Sequence, residues 1–280
     1  MHMAQMEQIL AIFEAAALQA GKAIMEVLAA GAHVQEKPDL SPVTEADTRA
    51  ERIILDKFAA SLPGIPVIAE ESVAAGRVPD IAAGTFILVD PLDGTREFVS
   101  GNSDFTVNIA LIEQGRPVAG VVYAPALGIA YLGASGKAEK LTVDPDFTVI
   151  HRQPITTRLC PINPVAVSSR SHGTPETSAF LAQHGLADCA SVGSSLKFGL
   201  VAEGRADIYP RMGRTMQWDT AAGDAVLRAA GGMTFGPDGE PLVYGFNATF
   251  KHDPFANPNF IACGRPDEHE AARSCASFRR

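Results

Sequence analysis

The chain of 280 residues predicts an α/β protein built from an α+β N-terminal half and an α/β C-terminal half. Three patterns carry that prediction. A long amphipathic segment opens the chain, with Ile9, Ile12, Phe13, Ala16, Ala20 and Ile24 on one stripe and Glu7, Glu14, Lys22 and Glu26 interspersed. A series of apolar, β-branched runs broken by Gly and Pro follows, up to about residue 136. From about Leu141 strand-like and helix-like segments alternate, which implies a more parallel sheet covered on both faces.

In chain order, the first helix leads into "KPDLSPVTEADTRAERIILDKFAASLPG", where Pro42 and Thr44 close a loop or short strand. Residues 46–60 then have helical spacing, with Ile53, Ile54 and Phe58 as the stripe and Gly64 as the stop. "PVIAEES" reads as a short buried strand running into Glu70 and Glu71, and "TFILVD" as a second. "FTVNIALIEQGRPVAGVVYAPALGIAYLGASG" supplies three or four more in meander order. Residues 117–136 carry no charge, but Pro125 and Gly128 divide them, so two paired strands around "APALG" are expected and not a membrane span. Beyond Leu141 come "VAVSS", a helix around 176–184, "CASVGS", "SLKFGLVAEG", "ADIYP" and the helix "TAAGDAVLRAAGG". A boundary near 138–152 divides the chain into subdomains 1–145 and 146–280.

At 46% hydrophobic residues, a chain of this length can bury a sizeable core. The formal charge of −9 argues against a nucleic-acid-binding surface, so an anionic ligand has to be drawn in locally by metals or a few basic side chains. The four cysteines, Cys160, Cys189, Cys263 and Cys275, are widely spaced and contain no C-x-x-C pair; they suit a reducing compartment. The N-terminus does not read as an export signal, and the cytosol is the expected location, with peripheral association with the inner membrane left open.

Four acids fall where an apolar element meets a loop or a helix start: Glu70, Asp90 and Asp93 in "VDPLDGTREF", and Asp219 in "QWDTAAGDAV". Singly, each has a plain reading, and Asp219 alone reads as a helix cap. Together they suit a hard divalent cation, which takes carboxylates, a backbone carbonyl and water. Asp90 and Asp93 can face one site from the two ends of a rigid turn, with the Leu92 carbonyl between them and the Leu92 side chain packed inward. Gly94 permits close backbone approach to a phosphate, and the N–H groups that begin "TREFVSG" suit an anion. An EF-hand does not fit "DPLDGT", and the two-residue gap between the aspartates does not fit an aspartyl-phosphate phosphatase.

"AEES", "DPLDGT" and "WDTAAGD", in that order, resemble the three signature segments of the inositol monophosphatase superfamily of Mg²⁺-dependent, lithium-sensitive phosphatases. "SPVTEAD", "FTVNIALI", "GVVYAP", "SRSH" and "GSSLKFGLVAEGRADIYPR" look most like its CysQ-type 3'(2'),5'-bisphosphate nucleotidases, over about residues 20–232. The resemblance implies a layered αβαβα sandwich. It implies that Glu70, Asp90, the Leu92 carbonyl, Asp93 and Asp219 hold two Mg²⁺ ions, or three where one more is held through Glu70 and water. It also implies that Thr95, bonded to Asp47, orients an attacking water, with Glu70 at the catalytic centre; a plain reading of Asp47 and Thr95 as helix caps stands beside this. Strand alternation sends Glu70 and Glu71 to opposite sides, and Glu70 matches the family's ligand position.

Arg211 in "YPRMG" stands where inositol monophosphatases usually carry a glutamate, and a guanidinium prefers a second phosphate. Lys197, Arg96, Ser194, Ser195, Gly94, Thr95 and Asp219 join it as candidate substrate contacts, although Arg211, Lys197 and Arg96 also read as surface charges. His172 reads as a cap or an adenine neighbour, and Trp218 as packing beside Asp219. The implied substrate is adenosine 3',5'-bisphosphate (PAP), with its sulfated relative PAPS beside it. The alternatives are an inositol or sugar phosphatase and a non-catalytic regulatory relative. The resemblance leaves monomer and homodimer open.

Overall fold

A computed structural model describes residues 3–31, 34–36, 42–171, 173–186, 189–247, 249–250 and 253–265. The chain order is α1 (Met3–Ala30), β1 (Val34–Glu36), β2 (Pro42–Thr44), α2 (Glu45–Ser61), β3 (Val67–Ala69), α3 (Glu70–Ala74), β4 (Thr85–Asp93) and α4 (Thr95–Val99). The meander β5 (Thr106–Glu113), β6 (Arg116–Ala124), β7 (Ile129–Ala134), β8 (Lys137–Val143) and β9 (Val149–Ile155) comes next. The remainder is β10 (Ala166–Ser169), α5 (Pro175–Gln183), β11 (Cys189–Val192), α6 (Leu196–Ala202), β12 (Ile208–Arg211), α7 (Gln217–Ala229), β13 (Met233–Phe235) and β14 (Phe260–Cys263).

Two large sheets organise these elements. The first runs β3-β4-β5-β6-β7-β8-β9, antiparallel except for the parallel β3–β4 pair. Successive side chains of a strand face opposite ways, and β4 feeds two cores: Ile87 and Val89 join Phe13, Ile24, Ile54 and Phe58 of α1 and α2, while Phe86 and Leu88 join Phe198, Ala222 and Val226 of α6 and α7. Burial on both faces explains why "TFILV" is an uninterrupted apolar run. α6 and α7 also cover the second sheet through Tyr209 and Phe260, and α5 with the turn after it closes its far side through Phe180, Leu181 and Leu186. The layers are therefore α, β, α, β, α, as the resemblance implied. By length and composition α1 could cross a membrane, but its stripe from Met6 to Val27 is buried in the first core.

The second sheet, β11-β10-β12-β14-β13, is more parallel than the first, as expected, but mixed: β10 pairs in parallel with β11 and β12, while β14 enters antiparallel between β12 and β13. β14 comes from the last stretch of the described chain, too short to signal its direction in the sequence. The antiparallel sheet also continues past 145/146, since β9 pairs with β8 as far as Ile155. Glu70 and Glu71 open a helix, so strand alternation does not separate them.

α7 lies close on the first sheet because two strand positions lack side chains. A Cβ on Gly120 would stand 2.5 Å from the Ala222 carbonyl oxygen, and one on Gly133 would stand 2.6 Å from Val226 Cα. This contact carries the start of α7 to the end of β4. His172 and the C-terminal segment from Pro266 lie outside the described residues.

Candidate metal and phosphate site

Four separate chain segments meet in one cavity of about 690 Å³, whose lining includes Glu70, Asp90, Asp93, Thr95, Arg211 and Asp219. β4 builds its centre. Pro91 has no N–H to give the ladder, and the β4–β5 register slips between Asp90 and Asp93. The turn is held internally: Asp90 Oδ1 accepts from the Leu92 N–H at 3.0 Å. The Leu92 side chain is buried in the first core. Gly94 then takes φ 90°, and a Cβ there would stand 3.1 Å from the Asp104 carbonyl oxygen, so the tight entry into α4 suits glycine alone.

Asp93 is held from the opposite sheet. Its Oδ2 accepts from Ser194 Oγ at 2.6 Å and Ser195 Oγ at 2.8 Å, while Ser195 Oγ is also 2.5 Å from the Asp219 carbonyl oxygen. Asn108 Nδ2 reaches Ser195 Oγ at 2.9 Å, and Thr106 Oγ1 lies 2.5 Å from Ser194 Oγ. Ser194 and Ser195 thus position a carboxylate. Ser194 has φ 52°, a costly backbone for a residue with a Cβ. The ammonium of Lys197 donates to the carbonyls of Val192 and Ser194 and ties this strained turn down. Lys197 is 3% exposed, so its surface reading is withdrawn. Burial lowers its pKa to about 8 despite the nearby Asp93.

Asp219 is the third residue of α7, and its Oδ2 accepts from the Met216 N–H at 2.8 Å. Asp47 stands in the same place in α2: its Oδ2 accepts from the backbone and hydroxyl of Thr44, both at 2.7 Å, and its Oδ1 lies 3.1 Å from Thr95 Oγ1. Both aspartates therefore do cap a helix, and both also face the cavity or a residue lining it. Arg211 is buried at the end of β12, with Nη2 donating to the Arg214 carbonyl at 3.1 Å; its surface reading is withdrawn too. Arg96 is exposed on the rim, and Trp218 packs 6.1 Å from Phe255.

Sequence reasoning missed several supports. Glu51, 4% exposed, accepts from the Glu71 N–H at 2.8 Å and from Ser72 Oγ at 2.7 Å, fixing the start of α3 that presents Glu70. Its position one helical turn after Asp47 was the available signal. Asp104 accepts from the Gly193 N–H at 2.9 Å and pairs with Arg170 at 2.8 Å, tying the loop after α4 to the second sheet. Nothing in the sequence marked that long-range pairing.

The electrostatics run against leaving these acids charged. Burial, then Glu70, Asp93 and Asp219, push Asp90 well above the usual carboxylate range. Burial, then Asp93 and Glu70, do the same to Asp219, with Arg211 in partial opposition. Asp47 is raised by burial and by Glu70, against its bonds to Thr44 and Thr95. Among the described residues no three His, Cys, Asp or Glu side chains already form a closed ligand group, and Asp90, Asp93 and Asp219 each turn one oxygen to a protein donor. The donors are nonetheless all hard oxygen, and their mutual repulsion is what a divalent cation relieves, so the set fits Mg²⁺ and not a thiolate-seeking metal.

A raised carboxylate pKa contributes stability below the usual carboxylate range and loses it as pH climbs through the raised values. Chelated protein should accordingly gain more from Mg²⁺ as pH rises from about 4 to neutrality. At one hundred times Kd the increment in Tm at pH 7.5 should be roughly 5–10 °C, falling toward zero near pH 4. Differential scanning fluorimetry across this range, with EDTA or MgCl₂, checks it; an increment independent of pH would contradict the repulsion argument.

The model of the Inositol monophosphatase family matches residues 5–274. The chain belongs to the inositol monophosphatase family. The match extends beyond the 20–232 read from motifs and takes in β14. The chain is 46% identical over 249 residues to the 3'(2'),5'-bisphosphate nucleotidase CysQ of Salmonella typhimurium, covering 87% of this chain and 95% of that one. It is 44% identical over 248 residues to the same-named protein of Escherichia coli O157:H7, with the same coverage. Among solved structures, CysQ of Bacteroides thetaiotaomicron superposes with a TM-score of 0.72 at 34% identity, over 93% of this chain and 98% of that one. An inositol monophosphatase from Zymomonas mobilis gives 0.74 at 24% identity over 98% of each chain, a likeness of fold.

Proposed function

We propose that this chain is a Mg²⁺-dependent phosphomonoesterase that removes the 3'(2')-phosphate of PAP, with PAPS as a second substrate, by in-line attack of water. The single observation that carries the reading is the division of the cavity lining: carboxylates Glu70, Asp90, Asp93 and Asp219 are joined by the buried Lys197 and Arg211, as a substrate with two phosphates requires. The identity to the two CysQ nucleotidases supports the same substrate class.

Glu70, Asp90, the Leu92 carbonyl, Asp93 and Asp219 would hold the metal, as two ions, or three with one more through Glu70. Bound there, Mg²⁺ supplies positive charge for the transferring phosphoryl group and acidifies water. The chain does the rest. Asp47, fixed by Thr44, is a rigid acceptor for the Thr95 hydroxyl proton, which leaves the lone pairs of Thr95 Oγ1 to receive a proton from water and aim its attack. The Gly94 turn brings backbone close to the phosphate. Arg211 and Lys197 take the second phosphate.

Phosphate release from PAP, PAPS and inositol 1-phosphate, with and without Mg²⁺ and Li⁺, tests the reading; preference for inositol 1-phosphate would overturn it. Arg211→Glu should lower kcat/KM for PAP by about 100-fold, the worth of a charge-assisted bond plus a new repulsion, and should leave inositol 1-phosphate far less affected. Equal losses on both substrates would contradict the role given to Arg211.

A further inference from the structure

We infer that Arg214 is a second specificity-determining residue, held by Asp253 at the cavity mouth and released to grip the substrate's second phosphate alongside Arg211. This rests on the bisphosphate reading. Arg214 and Asp253 both line the cavity. Arg214 Nε and Nη2 reach the same oxygen, Asp253 Oδ2, at 3.2 and 3.1 Å, so the pair lacks the two-oxygen fork that makes arginine–carboxylate contacts strong. The side chains are 60% and 46% exposed, and pairs so exposed hold weakly.

The backbone around the pair is fixed, which leaves the side chains as the moving parts. The Gln217 N–H donates to the Phe255 carbonyl at 2.8 Å and the Asn257 N–H to the Thr215 carbonyl at 2.9 Å. Asn257 Nδ2 adds bonds to the Met216 carbonyl at 2.7 Å and to Thr220 Oγ1 at 3.0 Å. Arg211 donates to the Arg214 carbonyl, so the two guanidinium groups spring from neighbouring points of one wall. A phosphate dianion offers more charge and more acceptor oxygens than Asp253, and its approach repels the Asp253 carboxylate. The exchange of partners needs only rotation about the Arg214 side chain.

The test compares steady-state hydrolysis of PAP and of adenosine 3'-monophosphate, which lacks the second phosphate. Arg214→Gln should reduce the ratio of kcat/KM values, PAP over monophosphate, about tenfold, through KM for PAP. Asp253→Asn should raise that ratio, because the acceptor that competes for the guanidinium loses its negative charge. A bridge that merely holds the fold together would make both variants lose both substrates in step. An unchanged ratio in Arg214→Gln, or a ratio lowered in both variants, overturns the inference. Wild-type preference for inositol 1-phosphate over PAP would sink the bisphosphate reading and this inference together, whereas wild-type preference for PAP with an unmoved Arg214→Gln ratio sinks the inference alone.

Discussion

Asp93→Asn should lower kcat/KM for PAP by at least about three orders of magnitude and at the same time stabilise the chelated protein. The first effect follows from the position of Asp93 between Asp90 and Asp219, where its charge contributes to raising the pKa of both. Removing the negative charge weakens the attraction for a cation at the point where phosphoryl charge has to be balanced, a loss of several kcal/mol of transition-state stabilisation. The second effect follows from the same proximity. Asparagine keeps the shape and an oxygen for Ser194 and Ser195, but removes the share of the repulsion on Asp90 and Asp219 that comes from Asp93. Activity assays and melting curves in EDTA check both. The variant should melt above the wild type without Mg²⁺ and lose most of the Mg²⁺-induced rise. A variant that is inactive yet no more stable when chelated would show that Asp93 acts through structure and not through charge.

The fold was largely legible because its signals are local. The stripe of α1, the breaks at Pro125 and Gly128 in the β6–β7 hairpin, and the apolar run of β4 each follow from short-range periodicity, and each strand and helix expected after Leu141 is present. What misled was long-range. β14 inserts antiparallel between β12 and β13, and β9 extends the first sheet beyond the expected boundary; no local pattern reports which strand a segment will pair with. The acids of the candidate site could be named because carboxylates at strand and helix ends are unusual as a set. The roles of Ser194 and Ser195 could not, because a serine at a helix start looks the same whether it faces a ligand or holds Asp93 across two sheets. Lys197 and Arg211 show the same limit: in sequence a basic residue looks like surface, and only the packed layers reveal that these two are buried.

Thr95→Val should lower kcat for PAP by about 10²–10⁴-fold, the range for losing a positioned proton-transfer group, with little change in KM. Valine matches threonine in shape, so α4 should persist, but the hydroxyl that lies 3.1 Å from Asp47 Oδ1 and 3.2 Å from the Leu92 carbonyl oxygen is gone. Threonine has one proton to give, and whichever oxygen receives it, the hydroxyl is left as an acceptor for water. Thr95→Ser should restore most of the rate because serine keeps that hydroxyl. The contrast with Asp93→Asn separates the two functions of the site: Thr95→Val should retain the Mg²⁺-induced rise in Tm, since all four carboxylates remain, while losing turnover. Asp47→Asn should lose turnover as well, because an amide that keeps its oxygen on the Thr44 N–H turns an NH2 group, a donor, toward the Thr95 hydroxyl in place of the acceptor. If Thr95→Val instead raised KM with kcat intact, Thr95 would be a binding group, and taking the proton from the attacking water would have to be assigned to another acceptor in the cavity.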